Sequence, residues 1–140
     1  MPPRTTELEV RVRYAETDQM GVVYHANYLV WCEMGRTEHL RAMGTAYRDL
    51  ERDGVRLAVA DARMRFHAPA RYDDRVSVRT RITDVKSRTI TFDYELSHAA
   101  SGCRLASVVT MLISMDAAGS VRRMPDALRK ILAADAGLDV

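Results

Sequence analysis

The stretch ETDQMGVVYHANYLVW, residues 16–31, holds an acid, a glycine, a histidine and an asparagine ahead of an apolar run. Asp18 stands three positions before Gly21, a residue that lets the backbone turn sharply or approach a ligand closely. Upstream, LEVRVRY (residues 8–14) alternates strictly. Leu8, Val10, Val12 and Tyr14 fall on one face and Glu9, Arg11 and Arg13 on the other, which predicts a half-buried strand. Downstream, Asn27 reads as the cap of a helix from about Tyr28 to Met43, with Gly44 suited to the left-handed position that ends it. At about 1.5 Å per residue this helix is about 24 Å long. Tyr28, Trp31, Cys32, Gly35, His39 and Met43 share one of its faces. Leu29, Val30 and Leu40 widen the apolar surface, so the helix is expected to be covered on several sides. A shorter helical piece, TAYRDLERDG (residues 45–54), follows.

From Val55 onward the pattern changes to period two. Four strands are predicted, at about Val55–His67, Val76–Asp84, Thr89–His98 and Arg104–Asp116, separated by APARYDD, VKSR and AASG. The last, RLASVVTMLISMD, is the most apolar and is expected to be central. AAGS then turns the chain, and Pro125 opens a final helix, PDALRKILAAD, with Asp126 in its first turn. A strand, a long helix and four strands joined mostly by short links imply an α+β arrangement, an antiparallel sheet curved around one long helix.

Size and charge narrow the function. The chain has 140 residues and 47% hydrophobic content, enough for one continuous core and one domain. Lys and Arg number 21 against 19 Asp and Glu, interspersed along the chain, which argues against a general nucleic-acid binder. MPPRTTELEV lacks the apolar core of a signal peptide, and no run approaches a membrane span, so a cytoplasmic location is expected. Cys32, in the helical pattern, and Cys103, beside Gly102, form no CxxC or Cys/His cluster and read as ordinary thiols, Cys32 in the core. No metal or cofactor is implied.

The opening stretch also carries chemistry. His25, Ala26 and Asn27 sit where the helix begins, so unpaired N–H groups and the positive end of the helix dipole point outward there. A carboxylate facing such donors is workable for acyl transfer: the donors polarise a carbonyl, and the carboxylate attacks it or activates water. The plainer alternative makes Asp18 a turn or cap residue. Glu33 reads as a helix-surface partner of Arg36 or Thr37.

VRYAETDQMGVVYHANYLVWCEMGRTEHLRAMG (residues 12–44) resembles the signature of the 4-hydroxybenzoyl-CoA thioesterase branch of the hotdog-fold superfamily. It is especially similar to bacterial acyl-CoA thioesterases associated with the Tol-Pal system. MRFHAPARYDDRVSV (residues 64–78) resembles the second recurrent segment of that group, and the likeness covers most of the chain. The resemblance implies a hotdog fold of five or six strands and hydrolysis of acyl-CoA thioesters without a cofactor. It implies Asp18 as the catalytic carboxylate, nucleophile or general base, and His25 as the position whose backbone N–H contacts the thioester carbonyl, with its ring near substrate. Gly21, Val22 and Asn27 become turn and oxyanion positions, and Tyr14, Tyr28, Lys86, Arg88 and Thr89 substrate-binding ones, with Trp31 and Met64 near the acyl pocket. The coenzyme A phosphates are assigned to the basic turn DVKSRTITF, where Ser87 replaces a third basic residue of the best-known aromatic-CoA enzyme. Expected partners are acyl-CoA or an acyl-carrier protein and further copies of the chain, as a homodimer or dimer of dimers with sheets side by side. Two other readings are an enoyl-thioester hydratase, whose Gly-Asp-x-Asn-Pro context is missing here, and a weakly catalytic acyl-carrier or envelope-complex adaptor.

Overall fold

The computed structural model describes residues 3–44, 50 and 52–138. The alternation of Leu8, Val10 and Val12 produces β1 (Thr6–Arg11) with its apolar side inward, and Val12 continues the buried side past the strand's end. The expected alternation stops there. Tyr14 begins a one-turn 3-10 segment, Tyr14–Glu16, and stays 78% exposed, edge-on to Tyr72. Next come α1 (Ala26–Ala42), β2 (Arg56–Phe66), β3 (Arg75–Val85), β4 (Thr89–His98), β5 (Arg104–Met115) and α2 (Asp126–Asp135). The helical piece predicted over Thr45–Gly54 falls largely outside the described residues. No helix among the described residues is long and apolar enough to cross a membrane.

The strands form one antiparallel sheet in the order β1-β3-β4-β5-β2. β5 is interior as expected, but the middle position belongs to β4, whose inward residues Ile90, Phe92, Tyr94 and Leu96 are all buried. Register shifts at Val59/Asp61 in β2 and Ile82/Asp84 in β3 add local bend and twist, which helps the sheet to curve around α1.

Gly35 governs the approach of α1. A Cβ built there would lie 2.5 Å from Thr80 Oγ1 and 3.0 Å from Val78 Cγ1, so the missing side chain lets the helix settle on β3. Trp31, Cys32 and Leu40 bury on this side. At the far end of α1, buried His39 joins three elements: its Nε2 lies 2.6 Å from Asp135 Oδ2 of α2 and its Nδ1 2.9 Å from Thr6 Oγ1 of β1. Gly44, at φ +84°, takes the predicted left-handed position after the helix.

Three expectations about α1 need correction. The helix starts two residues earlier than read, with His25 at the cap position, and the Asn27 side chain caps nothing. Its cover is narrower than read: Leu40 is buried, but Leu29 and Val30 are exposed, as is Met34, because the sheet encloses only part of the helix's circumference. Glu33 makes no ion pair with Arg36 among the described residues. The other partner read for it, Thr37, does bond to Glu33, though at the backbone: its hydroxyl donates to the Glu33 carbonyl (2.9 Å), while Arg36 turns inward and donates to the buried Tyr94 hydroxyl (3.0 Å).

Gly35→Ala weighs about 1 kcal/mol of helix propensity gained against roughly 1–3 kcal/mol of overpacking. Because Thr80 is itself fully buried, overpacking wins. The variant should unfold about 3–8 °C lower in a thermal melt. An unchanged or raised midpoint would show that the helix does not press on β3 at this point.

Candidate active site

The carboxylate sits on a small hairpin. Asp18 N–H donates to the Val22 carbonyl (2.9 Å) and Gly21 N–H to the Asp18 carbonyl (3.0 Å), the pattern of a tight turn whose last residue is left-handed. Gly21 meets that need at φ +79°. Asp18 Oδ1 accepts the Met20 N–H (2.9 Å), so the turn-forming role holds, and it also orients the side chain. Oδ2 has no partner among the described residues.

The hairpin runs directly into α1. Asn27 N–H donates to the Tyr24 carbonyl (2.9 Å) and Tyr28 N–H to that of His25 (3.3 Å), whereas no acceptor among the described residues takes the N–H of His25 or Ala26. Two donors are thus left open at the positive end of a 17-residue helix. The Asn27 side chain is engaged elsewhere, its Nδ2 donating to the Glu16 carbonyl (2.9 Å).

Glu16 escaped the sequence reading, in which ETD gave no hint of burial. It is only 4% exposed. Oε1 accepts the Arg13 N–H (2.7 Å), with the Arg13 guanidinium 3.6 Å away, and Oε2 accepts Trp31 Nε1–H (3.0 Å). Its carbonyl accepts the Tyr24 N–H as well as the Asn27 amide. The one available clue was the only tryptophan of the chain, whose ring N–H needs an acceptor when buried.

The opposite wall comes from the second recurrent segment. Val23 N–H donates to the Ala70 carbonyl (2.9 Å), Ala70 N–H reaches the Tyr28 hydroxyl (3.3 Å), and the Phe66 ring meets Tyr28 edge-on at 5.3 Å. Between the walls lies an open cleft of about 410 Å³, lined by Asp18, Val22, Val23, His25 and Tyr28 on one side and by Phe66, His67, Ala68 and Pro69 on the other. Burial raises the Tyr28 phenol above its usual pKa, which keeps it a neutral hydroxyl. A second hollow, about 330 Å³, lies on the outer sheet face among Arg79, Arg81, Asp93 and Glu95. Its acids are engaged in cross-strand ion pairs, Arg81–Asp93 (3.8 Å) and Arg104–Glu95 (2.6 Å), and it adjoins no open helix end.

The cleft therefore gathers Asp18, Val22, His25 and Tyr28, with Gly21 in the turn beside them. Trp31 lies buried and Met64 partly buried, neither lining the cleft. Tyr14 stands outside it. Lys86, Arg88 and Thr89 are at the far end of the sheet. β3 begins just past the cleft loop, and its 11 residues, at about 3.3 Å each, carry the chain about 35 Å before that turn is reached.

The chain as a whole is similar to known proteins. The profile of the "Thioesterase-like superfamily" matches residues 12–132. The chain is 32% identical over 126 residues to "Acyl-CoA thioester hydrolase YbgC" of Escherichia coli, covering 90% of this chain and 91% of that protein. A solved 1,4-dihydroxy-2-naphthoyl-CoA thioesterase from Synechocystis superposes with a TM-score of 0.83 at 26% identity, covering 93% and 96% of the two chains. A 4-hydroxybenzoyl-CoA thioesterase structure superposes with a TM-score of 0.83 at 15% identity, covering 92% and 99%, a likeness of fold: the hotdog.

Burial pushes the Cys32 thiol up to about 12, so at pH 8 it is protonated as well as enclosed, whereas Cys103 is exposed. A thiol reagent at pH 8 should titrate one group rapidly in the native protein and two after unfolding. Rapid reaction of both in the native state would contradict the burial of the α1 face.

Proposed function

The chain belongs to the thioesterase-like superfamily, and from that we propose that it hydrolyses acyl-CoA thioesters to a free acid and coenzyme A at the Asp18 cleft. The observation that carries this reading is an oriented carboxylate with one unengaged oxygen, lining the same cleft as a helix start with two open N–H donors. The thioester carbonyl sits with its oxygen toward the N–H groups of His25 and Ala26, which stabilise negative charge as it develops there. Asp18 acts on the carbonyl carbon by one of two balanced routes. As a general base it takes a proton from water while the water oxygen bonds to carbon; collapse then breaks the C–S bond and the thiolate leaves with that proton. As a nucleophile it forms an acyl anhydride and expels the thiolate, and water then cleaves the anhydride. Tyr28 and Phe66 supply apolar surface for the acyl group.

The nucleotide end of the substrate requires a second copy of the chain. β2 lies at a sheet border and most of its residues are exposed, including Val59 and Phe66. Its 11 residues offer a longer free edge than the 6 of β1. Antiparallel pairing of two β2 strands about a two-fold axis reverses the partner's ends. The partner's β3–β4 turn then comes to the same end of the joint sheet as the Asp18 cleft, three to four strand spacings away, or about 14–19 Å. In this homodimer Lys86 and Arg88 of one protomer face the phosphates of a substrate held by the other. A dimer of dimers builds on the same pair.

Asp18→Asn keeps an oxygen for the Met20 N–H and should fold normally, yet lose about 10²–10⁴ of kcat on the best substrate of a panel of short, long and aromatic acyl-CoAs. Full activity would exclude the proposed role. Lys86→Glu with Arg88→Glu should raise KM for acyl-CoA about tenfold or more and leave the N-acetylcysteamine thioester of the same acid unaffected, since that donor has no phosphates. Equal loss on both donors would place the turn's role elsewhere.

A further inference from the structure

Glu16 is two residues from Asp18, almost wholly buried, and bonded to every part that frames the cleft from this side. Its backbone carbonyl holds the returning hairpin strand through Tyr24 N–H and the first turn of α1 through Asn27 Nδ2, both at 2.9 Å. Its carboxylate holds the second turn of α1 through Trp31 Nε1–H (3.0 Å) and the approach to the hairpin through Arg13 N–H (2.7 Å). Each carboxylate oxygen thus accepts one short N–H bond, and the donors belong to two different segments.

We propose that Glu16 is a positioning residue for the hydrolysis: by accepting from Trp31 and Arg13 at once, its carboxylate sets the separation between the Asp18 side chain and the open N–H groups of His25 and Ala26. This rests on the reading of Asp18 above and goes beyond it, because Glu16 does not line the cleft and acts only through its neighbours. The carboxylate is needed for a reason of symmetry in donors. Both groups it receives are N–H donors, so it must offer two acceptors. A glutamine in its place has one acceptor and one NH₂, and whichever way the amide turns, an N–H faces either Trp31 Nε1–H or Arg13 N–H. The strand and helix then separate on that side, and the Asp18 hairpin moves relative to the helix start. A displacement of about 1 Å at such a site costs on the order of 10²-fold in rate. The loss falls on the transition state, in which carboxylate and donors act together, more than on binding of the acyl group to Tyr28 and Phe66.

The experiment is a compensation cycle, run well below the melting point of every variant and on a substrate for which D18N has already been shown inactive. E16Q is expected to lower kcat about 10–100-fold with KM changed less than about threefold. In E16Q/W31F the opposing ring N–H is gone, so the glutamine oxygen serves Arg13 and its NH₂ meets no donor. This double variant should recover kcat to within about threefold of W31F alone. If E16Q does not fold, the comparison of E16Q/W31F with W31F carries the test by itself. Wild-type kcat and KM in E16Q, or a double variant no faster than E16Q and far slower than W31F, would overturn the proposal. An active D18N would instead overturn the reading of Asp18, so the two failures are distinguishable.

Discussion

The seam between the Glu16–Tyr24 hairpin and α1 is the constraint on which the cleft depends. A turn and a helix end are both common, and neither alone makes a site. Here they are held in register by bonds that converge on one buried acid, to Tyr24, Asn27 and Trp31. Burying a carboxylate without partners is costly, so the arrangement is stable only while its own donors, Trp31 Nε1–H and Arg13 N–H, stay in place. That cost makes the register specific. The hairpin cannot slide along the helix without stripping the buried carboxylate of Trp31 Nε1–H and the Glu16 carbonyl of the Asn27 amide.

The rest of the fold supports this seam. Gly35 brings α1 down onto β3, and His39 fixes the helix's other end to β1 and α2. The loop after β2 closes from the opposite side through Ala70, which bonds to both Val23 and Tyr28. The cleft is therefore bounded by one helix start, one hairpin and one strand-to-strand loop, each tied to a rigid element. What a single chain does not bring near is positive charge from the β3–β4 turn. The strand order and the length of β3 put Lys86 and Arg88 at the opposite end of the sheet from the cleft.

Much of this was legible in the residues. Alternation gave the four later strands to within about one residue, because each has one buried face and period-two sequences have few other ways to bury it, whereas β1 begins two residues before the alternating stretch and ends three before its last residue, Tyr14. The tight turn at Gly21 and the end at Gly44 followed from backbone freedom that other residues lack. What failed were matters of tertiary partnership. Asn27 looked like a cap because caps are local, yet its amide is claimed by Glu16, eleven positions away. Arg36 looked like a surface partner of Glu33, yet the sheet below offers it the hydroxyl of Tyr94. Leu29 and Val30 looked like covered apolar surface along with Leu40, and only the three-dimensional course of the sheet shows that it reaches Leu40 and stops short of the other two. Glu16 was invisible for the same reason: nothing in ETD announces that a tryptophan one helix turn inside α1 will lie over it. Tyr14 and the Lys86 turn came from resemblance, which transfers residue roles without showing which end of the sheet each occupies.

A crystal structure of D18N with a slowly hydrolysed acyl-CoA bound tests the central claim most directly. The account predicts the thioester carbonyl oxygen about 2.7–3.1 Å from the N–H groups of His25 and Ala26, with its carbon next to the Asn that replaces Asp18. A carbonyl directed away from the start of α1, or an acyl group bound outside the cleft between Tyr28 and Phe66, would contradict it.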